Sequence, residues 1–456
     1  MSVSKRLQDL LITTIAGMGM LLSTLDTGII NVALSFLKEN FHTSASIAAL
    51  TIIGYTLALA ICILPLGILS DRFGKLKIVS LGFLLFGVSS LFCGLANSIL
   101  WLIIWRIVQG IGAAALQATS AALITTLVSE DNKNSALSIL GVMIGLGPVL
   151  GPSVGGILLS LNLWRFIFWI NIPFSIIGLI CVRYLFNQVR EKTNAQKLDI
   201  LGTFINACML IFLLVGLSFL SNIQKLSISL CLIFLSILIG FLLYHVESKK
   251  SNALINVKGL KENSQILAYL FQTSAFGFAS AMIFLLPPFI FEQIYQLDVG
   301  VTGFLVLGAP AGLVIFSRVS GKLNDGTKNN SFSQLGLVIM AISLIFLLLF
   351  NPQWNYVMLT LGLFIYGIGG GYFQPANIAS IMESSPSTIQ GSTGALQRMI
   401  QNVAISSGSA IGSTCLNLWD KDVLFATQIG WGITLVLVVL SLVGVIQIKR
   451  SRRVIF

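Results

Sequence analysis

Asp26 falls inside the first long apolar run of this chain, near residues 10–37, and is the only carboxylate that the sequence places within any such run. An ionisable group in hydrocarbon is expensive enough that its presence points to function by default. Arg106, in the run near 99–123, is a cation in the same predicament. Counted from Leu10 at about 1.5 Å per residue, Asp26 lies roughly 24 Å along its helix. Arg106, seven residues after Ile99 on a helix running the other way, lies about 10 Å from the opposite face of a ~30 Å bilayer core. With helix one tilted the two reach similar depth, so they are expected to pair directly or to share one polar network. Desolvation raises a carboxyl pKa and a neighbouring cation lowers it, so opening such a site to water or admitting a cationic guest toggles its proton. A proton arriving from outside would neutralise Asp26 and release a bound cation, and a cation from inside would compete for the deprotonated form. The alternative is a purely structural pair that fixes helix packing.

Other side chains suggest what such a site could hold. Tyr55, Trp105, Gln109, Gln117, Phe271, Gln272, Phe276, Tyr366, Phe373 and Gln374 supply a plausible lining for flat, lipophilic cations through stacking and cation–π contact. Arg398 lies just inside a late apolar run, where its long side chain is expected to snorkel to water, with Gln397, Gln401, Asn402 and Asn377 as further cavity candidates. Enzyme chemistry finds little support. The two histidines, His42 and His245, sit in or beside loops, and neither HExxH nor the phosphate-binding GxxxxGK[ST] occurs. Energy must then come from an ion gradient. Cys62, Cys93, Cys181, Cys208, Cys231 and Cys415 all fall in apolar runs without metal-ligand spacing and read as packing residues, so no metal is expected.

The elements that must position these residues follow from composition. Of 456 residues, 56% are hydrophobic and 9% charged, more apolar surface than a soluble fold can cover. Runs of the roughly 20 residues needed to cross a bilayer recur along the whole chain, and about fourteen can be drawn. The amino terminus, every second loop and the carboxyl terminus hold 21 of the 27 Lys and Arg, whereas the opposite loops hold only Lys38, Arg165, Lys225 and Lys421. Basic residues gather on the cytoplasmic side, so both termini are expected there. The net charge of +11 is spread over short loops instead of one face, which argues against nucleic acid.

The second run ends in Gly67-x-Leu69-x-Asp71-Arg72-x-Gly74-Lys75, and the tenth ends in Gly321-x-Leu323-x-Asp325-Gly326. Both contain Gly-x-Leu-x-Asp, an internal repeat that suggests two halves rocking about a central site. It predicts six-helix bundles over 1–190 and 263–456, with two inserted helices between them over 191–262. Gly67, Asp71, Arg72, Gly74 and Asp325 are expected to form a conformational latch, the acids meeting helix amino termini and basic side chains while the glycines permit close approach. The fifth run concentrates Gly147, Pro148, Gly151, Pro152, Gly155 and Gly156, which strips one face of side chains and interrupts the hydrogen-bond ladder, so close packing with a bend is expected. Gly367, Gly369, Gly370, Gly371 and Pro375 read similarly.

Taken in order, Leu25-Asp26-Thr-x-x-x-Asn31-Val-Ala33-Leu34, the Gly67–Lys75 segment, Arg106-Ile-Val-Gln109-Gly110-x-Gly112, the Gly147–Gly156 cluster, Trp164-Arg165-x-x-Phe168-x-Ile170-Asn171-x-Pro173 and Leu198-Asp199-x-x-Gly202 resemble the major facilitator superfamily, specifically its fourteen-helix drug:proton antiporter branch. The resemblance covers nearly the whole chain. It implies an all-α membrane protein of two six-helix bundles plus two inserted helices, proton coupling through Asp26 and Arg106, and the Gly147–Gly156 cluster as an antiporter signature. Departures are Gly326 where an Arg is expected and a degraded family motif at Asn252–Asn256. The function so implied is export of small lipophilic or cationic compounds in exchange for H⁺ or Na⁺ by a multi-pass protein of the cytoplasmic membrane, expected as a monomer and without a cofactor. Monovalent cation/proton exchange, a single-drug exporter of the tetracycline type and a lipid or fatty-acid exporter remain open. A single membrane carboxylate favours monovalent or neutral cargo over dications, unless Glu292 or Glu383 faces the cavity.

Overall fold

The computed structural model describes residues 5–186, 188, 189, 191, 193, 198–250, 253–255, 260, 263–387, 389–419 and 421–453. The basic linkers expected at 183–197 and 247–262 and the 252–256 segment fall partly outside these, as do the side chains of Asn31 and Pro148. Every regular element among the described residues is helical: α1 (Lys5–Asn40), α2 (Ala45–Phe73), α3 (Lys75–Gly94), α4 (Ile99–Leu127), α5 (Glu130–Ser160), α6 (Phe166–Trp169), α7 (Asn171–Leu185), α8 (Ile200–Phe219), α9 (Leu226–Glu247), α10 (Ser264–Leu285), α11 (Pro287–Phe289), α12 (Val299–Val306), α13 (Gly308–Leu323), α14 (Asn329–Leu348), α15 (Val357–Glu383), α16 (Gln390–Leu418) and α17 (Val423–Arg453). Short 3₁₀ and π turns lie at Ile223–Lys225 and Ile290–Ile294, the latter just after Pro287 and Pro288 interrupt the ladder.

Among the described residues, 12 helices are long and apolar enough to cross a membrane, or 13 if the bent halves of α5 are one span. Residues 390–418 form one 29-residue helix but do not belong to that set. Its polar positions, Gln397, Arg398, Gln401 and Asn402 among them, dilute its apolar character. The halves of α5, Glu130–Gly147 and Leu150–Ser160, meet at 43°. This is the bend expected where Pro148 cannot donate to the preceding turn.

The helices group into two compact units, Met1–Leu198 with Ser385–Arg398, and Asp199–Ser384 with Met399–Phe456. In the first, α1 packs along α5 and α4, α2 along α4, and α3 against α4 and α7. Leu25, Ile29 and Ala33 of α1 form a core with Leu102, Trp164 and Phe168. The α1–α5 seam is made by glycine. A β-carbon at Gly151 would stand 2.6 Å from the Gly28 α-carbon, and one at Gly147 would enter Thr24 and come within 2.7 Å of the Leu25 nitrogen. Gly155 continues the stripe against Ile29. Gly156 does not share in it: a β-carbon there meets nothing within 4 Å, because one residue of helix turns it about 100° off the seam.

In the second unit α13 and α14 pack against α15, α10 and α14 against α17, and α8 against α9. Phe276, Phe291, Tyr366, Phe373 and Trp431 belong to its core. Asp199 caps α8, accepting from the Gly202 N–H at 2.9 Å, and pairs with Lys250 Nζ at 2.6 Å. Burial pushes the Asp199 carboxyl upward, but the Gly202 N–H, the Lys250 ammonium and the neighbouring Glu247 carboxyl outweigh it and hold it below 3.8. A carboxyl depressed on folding contributes stability that is present above its unfolded pKa and lost as pH falls through the folded one. The difference in thermal midpoint between wild type and Asp199→Asn is therefore expected to be fully present at pH 6 and to shrink below about pH 4, as read by scanning fluorimetry across that range.

Candidate functional site

Asp26 and Arg106 meet. The Asp26 side chain is 2% exposed and Arg106 0%, and Arg106 NH1 donates to Asp26 Oδ2 at 2.5 Å. Helix α4 contributes a second donor one turn on, where Gln109 Nε2 reaches Asp26 Oδ1 at 3.0 Å and Ser90 Oγ at 2.9 Å, while its Oε1 accepts from Arg106 NH1 at 2.7 Å. The third donor comes from α7: Asn171 Nδ2 to Asp26 Oδ1 at 3.3 Å. Arg106 Nε donates to the Thr51 carbonyl at 3.1 Å, and its guanidinium lies 4.2 Å from the Tyr55 ring centroid. Tyr55 in turn donates its hydroxyl to the Ser23 carbonyl at 2.9 Å. Arg106 NH2 is buried and has no hydrogen-bond partner among the described residues. The result is a buried ion pair with three donors on one carboxylate, one further donor position on the guanidinium and an aromatic face beside it.

Ser90, Thr51 and Asn171 were missed by sequence reasoning. Asn171 belongs to a quoted motif, but only its place at the start of a helix was legible. A second correction concerns carboxylates. Asp26 is not alone in the membrane-length apolar segments: these also carry Asp71, Glu292 and Glu383, and, at helix ends, Asp9 in α1 and Glu247 in α9. Asp9 and Glu247 are buried helix-end groups: Asp9 accepts from the Ser129 backbone N–H at 3.0 Å and the Asn132 side-chain Nδ2 at 2.8 Å, and Glu247 from the Ile255 backbone N–H at 2.9 Å.

Gln117 lies two turns beyond Gln109 on α4, is 3% exposed, and bridges Ser23 Oγ at 3.2 Å and Arg398 NH2 at 3.2 Å. Arg398 therefore does not snorkel. It is 2% exposed, with its guanidinium turned onto the Gln117 carboxamide. Trp105 stacks on Phe92 at 4.3 Å between ring centroids and packs against the core that includes Leu25 and Ile29. In the second unit, Gln272 Oε1 accepts from Ser333 Oγ at 3.0 Å and Asn377 Nδ2 at 3.3 Å, and Thr273 Oγ1 donates to Asn377 Oδ1 at 2.8 Å. Tyr366 pairs with Ser280 at 3.2 Å, and Phe276 packs on Phe373 at 5.0 Å. Gln374, 2% exposed, has neither side-chain polar atom hydrogen-bonded. Phe271 is 42% exposed.

The two repeated segments behave differently. Asp71 accepts from the Gly391 and Ser392 amides at 2.8 and 2.7 Å, so it caps the start of α16, and Lys75 Nζ approaches it at 3.3 Å. Gly67 is required there, because a β-carbon would stand 2.8 Å from the Gly391 carbonyl oxygen. Gly74 turns at φ 104°, a conformation that favours glycine. Glu191, which sequence reasoning left in a linker, caps α3 just beyond it through Leu76 N at 2.9 Å and Lys75 N. Arg72 is exposed and lies over the neighbouring Phe73 ring.

Among the described residues, Asp325 makes no such cross-helix contact. It is exposed, and Thr327 holds its carboxyl below the usual range through a hydroxyl bond of 2.7 Å and an amide bond of 3.0 Å, the two closing a local turn. The buried connection at this end runs instead from Asn324 to Asn329 at 2.6 Å and on to Glu383 at 2.7 Å. Replacing Asp71 by Asn is expected to cost about 1–2 kcal/mol through the lost cap charge. Asp325→Asn is expected to stay within about 0.5 kcal/mol of wild type. Thermal unfolding of the two purified variants compares them directly.

The sequence profile of the Major Facilitator Superfamily matches residues 16–409. The chain is 28% identical over 408 residues to the riboflavin transporter RibZ of Clostridioides difficile (strain 630), covering 89% of this chain and 88% of that one. It is 26% identical over 429 residues to the putative multidrug resistance protein MdtD of Enterobacter sp. (strain 638), covering 91% and 88%. The fold is similar to that of the human organic anion transporter MFSD10 (TETRAN), with a TM-score of 0.66 at 15% identity over 95% of this chain and 99% of that one.

Proposed function

The chain belongs to the major facilitator superfamily, whose members are transporters and not enzymes, and from that premise we propose that it exports small lipophilic or cationic compounds in exchange for protons. In this reading it is a multi-pass protein of the cytoplasmic membrane with fourteen spans, both termini cytoplasmic, built as bundles over 1–190 and 263–456 with an inserted pair over 191–262. It works as a monomer and needs no cofactor beyond the gradient.

The observation that carries the reading is the buried Asp26 carboxylate held by Arg106, Gln109 and Asn171. With all three donors engaged, the carboxylate is dehydrated and its charge is matched. A proton on Asp26 removes the acceptor charge and leaves Arg106 as an unmatched buried cation, a state costly enough to drive the site open to water or to a new partner. A cationic cargo can take the place of Arg106 at the carboxylate, while a neutral planar cargo can use the Tyr55 face and the open donor of Arg106. Asp71 on the amides of α16 supplies a contact that can hold one conformation until the site changes charge. The relative named as a multidrug resistance protein supports the drug-like cargo class, and the one named as a riboflavin transporter supports a planar heteroaromatic within it.

The test uses inverted membrane vesicles carrying the full chain and a pH-reporting dye. After energisation, ethidium, tetracycline, a quinolone, riboflavin, Na⁺ and K⁺ are added separately. Collapse of the proton gradient by organic compounds is the expected result. Collapse by Na⁺ or K⁺ alone would move the function to ion exchange, and no response to any cargo would remove the coupling.

A further inference from the structure

The Asp199-x-x-Gly202 motif that opens α8 meets the end of α9, within the second unit, and brings two carboxyls together there. Asp199 stands at the start of α8, and Glu247, 1% exposed, ends α9. A β-carbon at Gly202 would clash with Glu247 Oε1 and stand 3.0 Å from Asp199 Oδ2, so the missing side chain lets the two groups converge. Glu247 Oε2 accepts from the Ile255 N–H at 2.9 Å. Its other oxygen, Oε1, is buried and meets no donor among the described residues. What it meets is a second acceptor, the Asp199 carboxylate.

Among the described residues, one cation balances these two acids. Lys250 Nζ donates to both Asp199 oxygens, at 2.8 and 2.6 Å, and is committed to that carboxylate. The charged groups that face Glu247 among the described residues are Asp199 and Lys250; Ala253, Leu254 and Ile255 bring none, and His245 and Lys249 are exposed. Two ionised carboxylates side by side repel each other, and the buried one has lost hydration that no cation of its own replaces. A single proton removes both costs. It cancels the excess charge and turns the contact between two acceptors into a charge-assisted hydrogen bond.

We infer that Asp199 and Glu247 share one proton at neutral pH and form a proton-binding site separate from Asp26. The proton belongs to the pair and not to either residue. With it in place, Glu247 ties together the start of α8, the end of α9 and residues 253–255. Its loss at high pH leaves two negative charges on one ammonium and loosens that junction. A proton held by the folded chain and released on unfolding contributes stability that is present at low pH and lost as pH rises through the folded-state titration. The inference is independent of the proposed proton exchange, because occupancy here needs neither Asp26, a cargo nor a gradient.

The test is infrared spectroscopy of the full chain in nanodiscs between about pH 5 and about pH 9, read in the carbonyl stretch of protonated carboxyl groups, beside thermal midpoints from scanning fluorimetry. Glu247→Gln keeps an acceptor for the Ile255 N–H and a donor for Asp199 but carries no titrating proton. At neutral pH it should lose a protonated-carboxyl band relative to wild type, with Asp26 present in both and cancelling in the difference. Asp199→Asn should lose the same band, because Lys250 is then free to pair with an ionised Glu247. The thermal midpoints of wild type and Glu247→Gln should coincide near the acid end and separate as pH rises, wild type becoming the lower. An unchanged band in Glu247→Gln, or a midpoint difference that does not vary with pH, overturns the proton-binding site. A band lost in Glu247→Gln but kept in Asp199→Asn overturns the sharing and makes Glu247 an acid kept neutral by burial alone.

Discussion

Asp26→Asn is expected to abolish cargo-driven collapse of the proton gradient, by at least a hundredfold in initial rate. The substitution keeps the shape and the hydrogen-bonding reach of the side chain, so Gln109 and Asn171 retain a partner. What it removes is the charge. Arg106, 0% exposed, is left without its carboxylate. Breaking one side of a buried pair in this way typically costs about 3–5 kcal/mol, so a lower thermal midpoint should accompany the loss of coupling. Stability alone therefore cannot separate a coupling acid from a packing device. The double variant Asp26→Asn with Arg106→Gln does so, because it removes both charges and replaces them with amides that can bond each other. Its thermal midpoint should recover most of the loss while the proton response stays absent. A double variant that regains both stability and proton exchange would show that the pair only fixes packing.

Gly151→Leu and Gly147→Val are expected to abolish transport and to lower the yield of folded protein sharply. A β-carbon at either position already meets α1 at less than van der Waals distance: at Gly151 the closest atoms are backbone, and at Gly147 they are the Thr24 side chain, starting at its β-carbon and hydroxyl, followed by the Leu25 nitrogen, so α1 itself must shift. Overpacking of this kind typically costs about 1–3 kcal/mol where the structure can relax, and more where two backbones must separate. Gly156→Ala is the matched control. Its β-carbon meets open space, so it should stay within about 0.5 kcal/mol of wild type and transport normally. Expression, thermal midpoint and vesicle transport measured on the three variants distinguish a packing seam from a generally flexible helix. If Gly156→Ala were as damaging as Gly151→Leu, the seam would not be the reason for the glycines.

The legibility of the site tracked how unusual each residue was in its surroundings. Asp26 and Arg106 stood out because hydrocarbon tolerates neither, and the helix rise placed them at similar depth before any contact was known. Gln109 was named only as a lining residue, and the structure places it in the network one turn from Arg106. Asn171, Ser90 and Thr51 complete the same network but carry no such signal, since asparagine, serine and threonine occur in membrane helices for many reasons. Trp105 was legible only as an aromatic ring in the right helix; its stacking on Phe92 is a contact that the sequence does not show. The repeated Gly-x-Leu-x-Asp segment predicted two latches, whereas only Asp71 caps another helix and Asp325 is consumed by its own turn. A motif copies residue types, but the neighbour that makes them useful comes from elsewhere in the chain.

By itself, the sequence determined that the protein is helical and membrane-embedded, that its fifth helix bends at Pro148, and that one acid and one arginine stand at similar depth in its first half. Those properties follow from hydropathy over about 20 residues, from proline's missing N–H and from the cost of charge in lipid, all of which are local. Only the tertiary structure decided which donors surround Asp26, that Arg398 turns onto Gln117 instead of water, that Glu191 caps α3, and that Gly147, Gly151 and Gly155 face α1 while Gly156 does not. Each of these depends on which face of a helix meets which neighbour, often more than a hundred residues away in the chain, and rotation of a helix by a single residue exchanges a buried contact for an open one.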